Sequence, residues 1–329
     1  MVRPFDFAQG RLRSPQVKHT PVLLSTVLDL LNPKTGETVM DVTVGLGGHA
    51  KGFLERIGPK GKLIGLDADA ENLRNATIEM RSAKNVRPIH ANFRDVSSLD
   101  LPLCDILFAD LGLSSPHLDD PLRGFSFRGS GPLDCRFDQS KGVTAAELLA
   151  KSPERELLMM FREYGEVPRA HAFVSAISDV RTKHPIASTQ DLARIAEHVY
   201  ERQAPKFLPQ IFQALRIAVN DELGALQALL AHGPTLLKSG GRMGIISYHS
   251  LEDRLVKICF RKLAAISKHP LTGVPLPAPR SFFRSEVGFT LLTKKALTAT
   301  LEEIENNPRA RSARFRALRK FIPSSSSQP

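Results

Sequence analysis

Residues 41–50, DVTVGLGGHA, put a carboxylate, three glycines and an imidazole into one short stretch. Gly45-Leu46-Gly47-Gly48-His49-Ala50 fits the G-x-G-x-x-G/A spacing of a dinucleotide-binding turn, which carries meaning only between a strand and a helix. An apolar run precedes it and the helix-compatible HAKGFLERI follows, so that condition is met. Glycines let the backbone approach a ligand closely, and the free N–H groups at a helix start favour electron-rich atoms. Asp67 ends the next apolar run, KLIGLD, where a carboxylate would accept hydrogen bonds from ribose hydroxyls. These residues point to a ligand that contains a nucleoside; the simpler alternative is that Gly45, Gly47 and Gly48 only make a tight turn.

Which nucleoside depends on the neighbouring charges. Asp41, just before the loop, would crowd a pyrophosphate but suits a cofactor with an amino group or a positive charge, and S-adenosylmethionine has both. The Tyr-x-x-x-Lys arrangement of many dehydrogenases is missing after Tyr164, Tyr200 and Tyr248, which counts against NAD without excluding it. His49 reads as a helix-start residue donating hydrogen bonds rather than a catalyst. Asp69 either caps the helix after the second strand or touches the cofactor. Phe93 is either core or a wall for an adenine ring. Asp110 closes DILFADLG at the rim where open parallel sheets bind ligands. It is either a solvated strand end or, with Ser114 and Ser115 of the following SSPH, a holder of a polar group against the cofactor's reactive atom.

The elements that would position these groups follow from pattern. Short apolar runs at TVMDVT (38–43), KLIGLD (62–67), VRPIHA (86–91) and DILFADLG (105–112) alternate with helix-compatible segments. That alternation predicts an α/β fold with a parallel sheet covered on both faces. Before them, Thr20 can cap a helix with Pro21 at its first position, ending at Asn32-Pro33. After Gly112 the chain turns rich in Gly, Pro and Asp, a long loop of the functional kind. It leads into helices announced by a Thr144/Glu147 capping box, by Ser152-Pro153 and by the cap in STQDLARIAEHVYER. The sheet rhythm resumes with one helix over QIFQALRIAVNDELGALQALLAHGPTLL, a Gly240-Gly241 turn and the strand RMGIIS. Two domains are expected: a discontinuous one over 18–119 and 212–322, and an inserted helical one over 120–211 for substrate recognition. Residues 1–17 and 323–329 read as flexible tails.

Composition limits the partners. Of 329 residues, 45 are Lys or Arg against 34 Asp or Glu, and the isoelectric point is about 9.8. That excess favours an anionic partner such as nucleic acid, though a basic enzyme without one has the same balance. Three cysteines without a CxxC pair indicate neither a disulfide framework nor a thiolate zinc site, and suit a reducing cytoplasm. No run approaches a membrane span or a signal-peptide core. RARSARFRALRK near the end is either an edge strand with a basic face or a charged tail.

HTPVLL, DVTVGLGGH, GLDAD, ADLGLSSPHLDDPLRGFSFRGSGPLDCRFD, YGE, FQALRIAVNDEL, GGRMGIISYHSLEDRLVK and NPRARSARFRALRK, in this order from His19 to Lys320, closely resemble the ribosomal RNA small subunit methyltransferase H (MraW) family. The resemblance implies a Rossmann-like S-adenosylmethionine-dependent methyltransferase sheet with an inserted, mostly helical domain. It implies methylation of the exocyclic N4 of a cytidine in the decoding (P-site) region of 16S rRNA, with the small ribosomal subunit as partner. A homodimer is compatible with it. Position by position, the family's cofactor contacts fall on Gly47, Gly48, His49, Asp67, Phe93, Asp110 and His117. The chain departs from the family at Val42 (usually Gly), Ala50 (usually Ser), His117 (usually Gln), Val167 (commonly Glu), Phe207–Gln210 (usually Pro-Ala-Thr-Arg) and Tyr248 (usually Phe).

For that reaction Asp110 is the first candidate to hold the amine, with Ser114 and Ser115 as helpers. RGFSFR offers Arg123, Phe125, Phe127 and Arg128 to stack on an unstacked base, or else is a loop pinned by two buried Phe. Asp134, Arg136 and Asp138 either form an ion ladder or grip substrate. No metal site is expected, since Asp119, Asp120, Asp134 and Asp138 lack a ligand spacing. A Ser250/Asp253 capping box would aim His249 at the ligand edge, and Arg314 and Arg316 would meet RNA phosphates. Two rivals remain: a DNA amino-methyltransferase, and a catalytically silent RNA-binding assembly factor on the same fold.

Overall fold

The computed structural model describes residues 21–266 and 288–321. The tails expected at 1–17 and 323–329, and the cap expected at Thr20, lie outside the described residues. The elements run α1 (Leu24–Leu31), β1 (Thr38–Asp41), α2 (Gly48–Ile57), β2 (Lys62–Asp67), α3 (Ala70–Glu79), β3 (Val86–His90), β4 (Cys104–Asp110) and α4 (Ser115–Asp119). Then come α5 (Ala145–Lys151), α6 (Glu154–Glu163), α7 (Ala170–Arg181), α8 (Thr189–Tyr200), α9 (Ala204–Asn220) and α10 (Glu222–His232). The chain closes with β5 (Leu237–Ser247), α11 (Ser250–Ile266), β6 (Gly288–Leu291), α12 (Leu301–Asn306) and β7 (Arg314–Phe321).

Seven strands form one sheet in the order β3-β2-β1-β4-β5-β7-β6. The first five are parallel, and β7 runs antiparallel to both its neighbours. Alternation along the strands sorts side chains to two faces. Val39, Ile106, Phe108 and Ile246 pack with Phe53, Ile57 and Phe315 beneath α1 and α2. Met40, Leu107, Ala109 and Ile245 pack with Leu229, Val256 and Phe260 beneath α10 and α11. Both faces are therefore covered, which is why these strands read as continuous apolar runs. A third cluster joins α5 to α9 around Phe161, Phe173 and Leu215, and draws in Phe125, Leu133 and Cys135 from the long loop. Among the described residues, no helix is long and apolar enough to cross a membrane.

The Thr144/Glu147 box and the Ser188 cap form as expected, with the Glu147 and Asp191 side chains reaching back to the cap N–H. Four expectations are corrected. The first helix starts at Leu24, after Leu23 in the left-handed region, rather than at Pro21. Gly240-Gly241 is no turn ahead of the strand: it sits within the 11-residue β5, where the register with β4 shifts between Cys104 and Ile106. The helix expected from Gln210 to Leu237 breaks at Asp221, whose φ of 46° ends α9 and starts α10. The basic segment is an interior strand, β7, because β6 pairs with its outer side. The 211/212 boundary falls inside α9, whose buried side chains belong to the helical cluster as far as Leu215.

Candidate active site

Parallel strands end on one rim, so Asp41, Asp67 and Asp110 share an edge of the sheet. There a cavity of about 360 Å³ opens, within the size range of small-molecule sites. Gly45, Gly48, His49, Asp67, Phe93, Asp110, Ser114, Ser115 and His117 line it, together with Asn72, Arg216, Glu222, Tyr248, Glu252 and Arg309.

The loop needs its glycines. Gly45 and Gly47 have φ of 55° and 83°, and a Cβ at Gly48 would come within 2.5 Å of the Pro21 ring. Gly45 donates its N–H to Asp67 Oδ2 at 2.7 Å, and Asp69 donates to Oδ1 at 2.8 Å. Asp67 therefore anchors the loop as well as facing the cavity, where its remaining lone pairs stay available.

Asp41 corrects an expectation. Its carboxylate lies behind the loop, fully buried, with Oδ1 accepting from the Thr43 N–H and Oδ2 lacking a hydrogen-bond partner. Burial pushes its pKa up to about 8, so near neutrality it is mostly protonated and would not crowd a pyrophosphate as expected from sequence.

Asp110 is the reactive-looking group. Its Oδ1 accepts a hydrogen bond from the Tyr248 hydroxyl at 2.8 Å, and its backbone N–H donates to Thr43 Oγ1. Oδ2 lies 3.5 Å from His49 Nδ1. Burial pushes Asp110 up to about 7, against the Tyr248 hydrogen bond that favours the charged form. His49 is a buried residue in the first turn of α2, with Nε2 2.9 Å from the Val22 carbonyl. A carbonyl only accepts, so Nε2 carries a proton and Nδ1 is the nitrogen turned to Asp110.

His117, Asp69 and Arg123 make a closed tie. Asp69 caps α3 and also accepts from His117 Nε2 at 2.7 Å and Arg123 Nη1 at 2.6 Å. Burial raises the Asp69 pKa, but both hydrogen bonds and the Arg123 charge overcome it and hold the carboxyl well below its usual range. His117 Nδ1 accepts from the Ser114 N–H, which leaves the ring neutral, as its burial also favours. The cap and cofactor readings of Asp69 thus resolve to a cap that also clamps the loop.

The RGFSFR segment is largely closed. Arg123 is buried, its Nη2 donating to the Arg136 and Phe137 carbonyls, so its plane is not open to a base. Phe125 stacks on Phe137 with ring centroids 5.5 Å apart, and Phe127 packs against Phe212. Only Arg128 of the four is exposed. Asp134 and Arg136 form a two-bond pair at 2.8 Å, and Asp138 binds Ser140 and Lys141.

Behind the rim the expected Ser250/Asp253 box is replaced. Glu252 Oε2 accepts from the Tyr248 and His249 N–H groups, so Glu252 is the carboxylate that reaches back over the start of α11. Asp253 instead takes Arg316 through two bonds at 2.7 and 3.1 Å, with Arg314 at 3.3 Å. Arg316 is 9% exposed and so closed to phosphate, whereas Arg314 remains exposed. Ser115 Oγ accepts from Arg309, which also lies 3.7 Å from Asp119.

Several lining residues were missed from sequence. Tyr248 and Glu252 flank His249, but nothing local reports which carboxylate the hydroxyl meets. Arg216 and Glu222 form a buried two-bond pair at 2.6 and 3.0 Å. Glu222, His249 and Glu252 are the one group among the described residues close enough to share a metal ion. Arg216 occupies both Glu222 oxygens there, so a positive charge is already supplied.

The family model of the MraW methylase family matches residues 16–321. The chain belongs to the MraW methylase family. This MraW methylase is 43% identical over 312 residues to the ribosomal RNA small subunit methyltransferase H of Thermomicrobium roseum, covering 92% of this chain and 94% of the relative. It is 44% identical over 316 residues to the protein of the same name from Syntrophotalea carbinolica, covering 92% and 98%. Among solved structures it overlaps an rRNA methylase from Streptococcus thermophilus at 11% identity and a TM-score of 0.39, covering 93% and 99%.

Proposed function

We propose that the protein transfers the methyl group of S-adenosylmethionine to the exocyclic N4 of a cytidine in the decoding, P-site region of 16S rRNA within the small ribosomal subunit. The observation that carries this reading is one chamber lined at once by Asp67 and Phe93, which suit a nucleoside, and by Asp110, which suits an amine. Family membership and the names of the relatives support the rRNA substrate.

The donor set fits the cofactor. Gly45, Gly47 and Gly48 allow close backbone approach, Asp67 accepts from ribose, Phe93 walls the adenine, and the acidic rim suits a positive charge. S-adenosylmethionine supplies an electrophilic methyl on a sulfonium. The cytosine amine is a weak nucleophile because its lone pair is delocalised into the ring, so catalysis rests mainly on positioning. Asp110 Oδ2 accepts one amine hydrogen, turns the lone pair toward the methyl, and takes the proton once the nitrogen becomes cationic. Ser114 Oγ is committed to Asn72 and His117, and Ser115 Oγ to Arg309, so these two hold the loop beside Asp110.

Charge gives a first prediction. Asp41, Asp110 and Asp67 are pushed up by burial to about 8, 7 and 6, so the folded protein holds protons the unfolded chain releases near pH 4. The stability they contribute is full below that value and is lost as pH rises through 6 to 8. Thermal unfolding is expected to show a midpoint that falls over this range without ligand. S-adenosylmethionine should raise the midpoint more at pH 8 than at pH 6, whereas S-adenosylhomocysteine, lacking the sulfonium charge, should show a weaker pH dependence.

Phosphate contacts give a second. Arg128→Ala and Arg314→Ala are expected to weaken RNA binding at every sequence alike, each lowering the slope of log K against log salt by about one. Binding titrations at several salt concentrations check this; an unchanged slope removes that arginine from the interface.

The reading is tested by nucleoside mass spectrometry after incubation with S-adenosylmethionine and, in parallel, unmethylated small subunits, naked 16S RNA and DNA. N4-methylcytidine from ribosomal substrates supports it. Product from DNA alone favours the DNA amino-methyltransferase, and bound cofactor without product favours the silent assembly factor.

A further inference from the structure

Asp110 sits among groups that oppose its ionisation. Burial opposes its charge first and the like charge of Glu252 from α11 next, while Asp41 from β1, itself pushed up to about 8, adds a carboxylate on the other side. Facing it from α2 is His49, with Nδ1 3.5 Å from Oδ2, and from the end of β5 the Tyr248 hydroxyl, 2.8 Å from Oδ1. Tyr248 is itself fixed at both ends. Its N–H is held by Glu252, which is anchored by the start of α11, and its ring lies over Gly112, where a Cβ would come within 3.3 Å of it. Glu303 adds a further carboxylate near the ring, with its Oε1 accepting from the Leu23 N–H.

We propose that Tyr248 is a positioning residue for methyl transfer: its hydroxyl donates to Asp110 Oδ1, keeps the carboxylate charged, and leaves Oδ2, on the His49 side of the carboxyl, to accept from the amine. This rests on the reading of Asp110 as the group that holds that amine. A buried carboxylate that receives no hydrogen bond takes up a proton more readily, and a protonated Asp110 cannot accept from the amine or later remove its proton. Tyr248 therefore sets the lowest pH at which the site works. The role belongs to the hydroxyl alone, because the ring's packing over Gly112 is reproduced by Phe, the residue the family usually carries there.

The test is Tyr248→Phe, read in two ways on the full chain. In protein carrying 13C at aspartate carboxyls, the Asp110 resonance, identified by its loss in Asp110→Asn, is titrated without cofactor. Its midpoint is expected to rise by about one pH unit, equivalent to a tenfold change in the proton equilibrium. The acid limb of the kcat/KM profile should move by the same amount, with activity recovering at high pH. An unmoved carboxyl midpoint overturns the proposal whatever the activity does. A moved midpoint with a pH-independent loss of activity also overturns it, since the hydroxyl would then act on something other than Asp110 ionisation. Full activity in Asp110→Asn removes the underlying reading instead, and the titration separates that result because it needs no turnover.

Discussion

Asp110→Asn is expected to lower kcat by about 10²–10³-fold, with a smaller loss of S-adenosylmethionine affinity because the carboxylate also faces the sulfonium charge. The amide is close to the carboxyl in shape, so the strand end and the Tyr248 contact keep a partner. The substitution removes the charge that accepts the amine hydrogen and the site that takes the proton. The wild-type rate should rise with pH through about 7, as Asp110 ionises, and this limb should vanish in the variant. Single-turnover rates across pH, beside calorimetric binding of S-adenosylmethionine, check both parts. A variant that binds and turns over normally would place the amine acceptor elsewhere on the rim.

Asp69→Ala is expected to produce the largest stability loss in the sheet domain, on the order of 3–5 kcal/mol. Removing the carboxylate leaves the buried Arg123 guanidinium without its counter-charge, leaves His117 Nε2–H without an acceptor, and uncaps α3. The loop carrying Ser114 and His117 would loosen with it, so cofactor affinity should fall as well. Asp69 is held below its usual pKa in the fold, so the stability it contributes is present above about pH 4 and lost as pH falls further. Urea unfolding of wild type and variant should therefore differ at pH 7 and converge toward acid. Equal midpoints at pH 7 would show that the tie carries no net stability.

β1, β2 and β4 were legible because each is largely buried and reads as a short apolar run, and the glycine loop because its positive φ values demand glycine. The Thr144/Glu147 cap was legible too, since the two residues lie three apart, whereas the Ser250/Asp253 box was misread because Arg316 claims Asp253. What stayed hidden depends on distance along the chain. The RFRALRK segment looks like a basic face, yet Arg316 is neutralised by Asp253, 63 residues earlier. Arg123 likewise looks available until Asp69 is brought to it from 54 residues away. The interior place of β7 depends on the four-residue β6, too short for a periodic signal. In the candidate site, Asp110, Asp67 and Phe93 were visible as strand-end residues. Tyr248 was noticed only as a departure from family pattern, because its partner comes from another strand.

The measurement that tests the central claim most directly uses S-adenosylmethionine bearing a deuterated methyl group. After incubation with unmethylated small subunits, the 16S RNA is digested and its fragments are sequenced by mass spectrometry. The account predicts the label on N4 of a single cytidine in the P-site region, forming about 10²–10³-fold more slowly with Asp110→Asn. Label on carbon 5, on a ribose 2′ oxygen or on a cytidine outside the decoding region would contradict it.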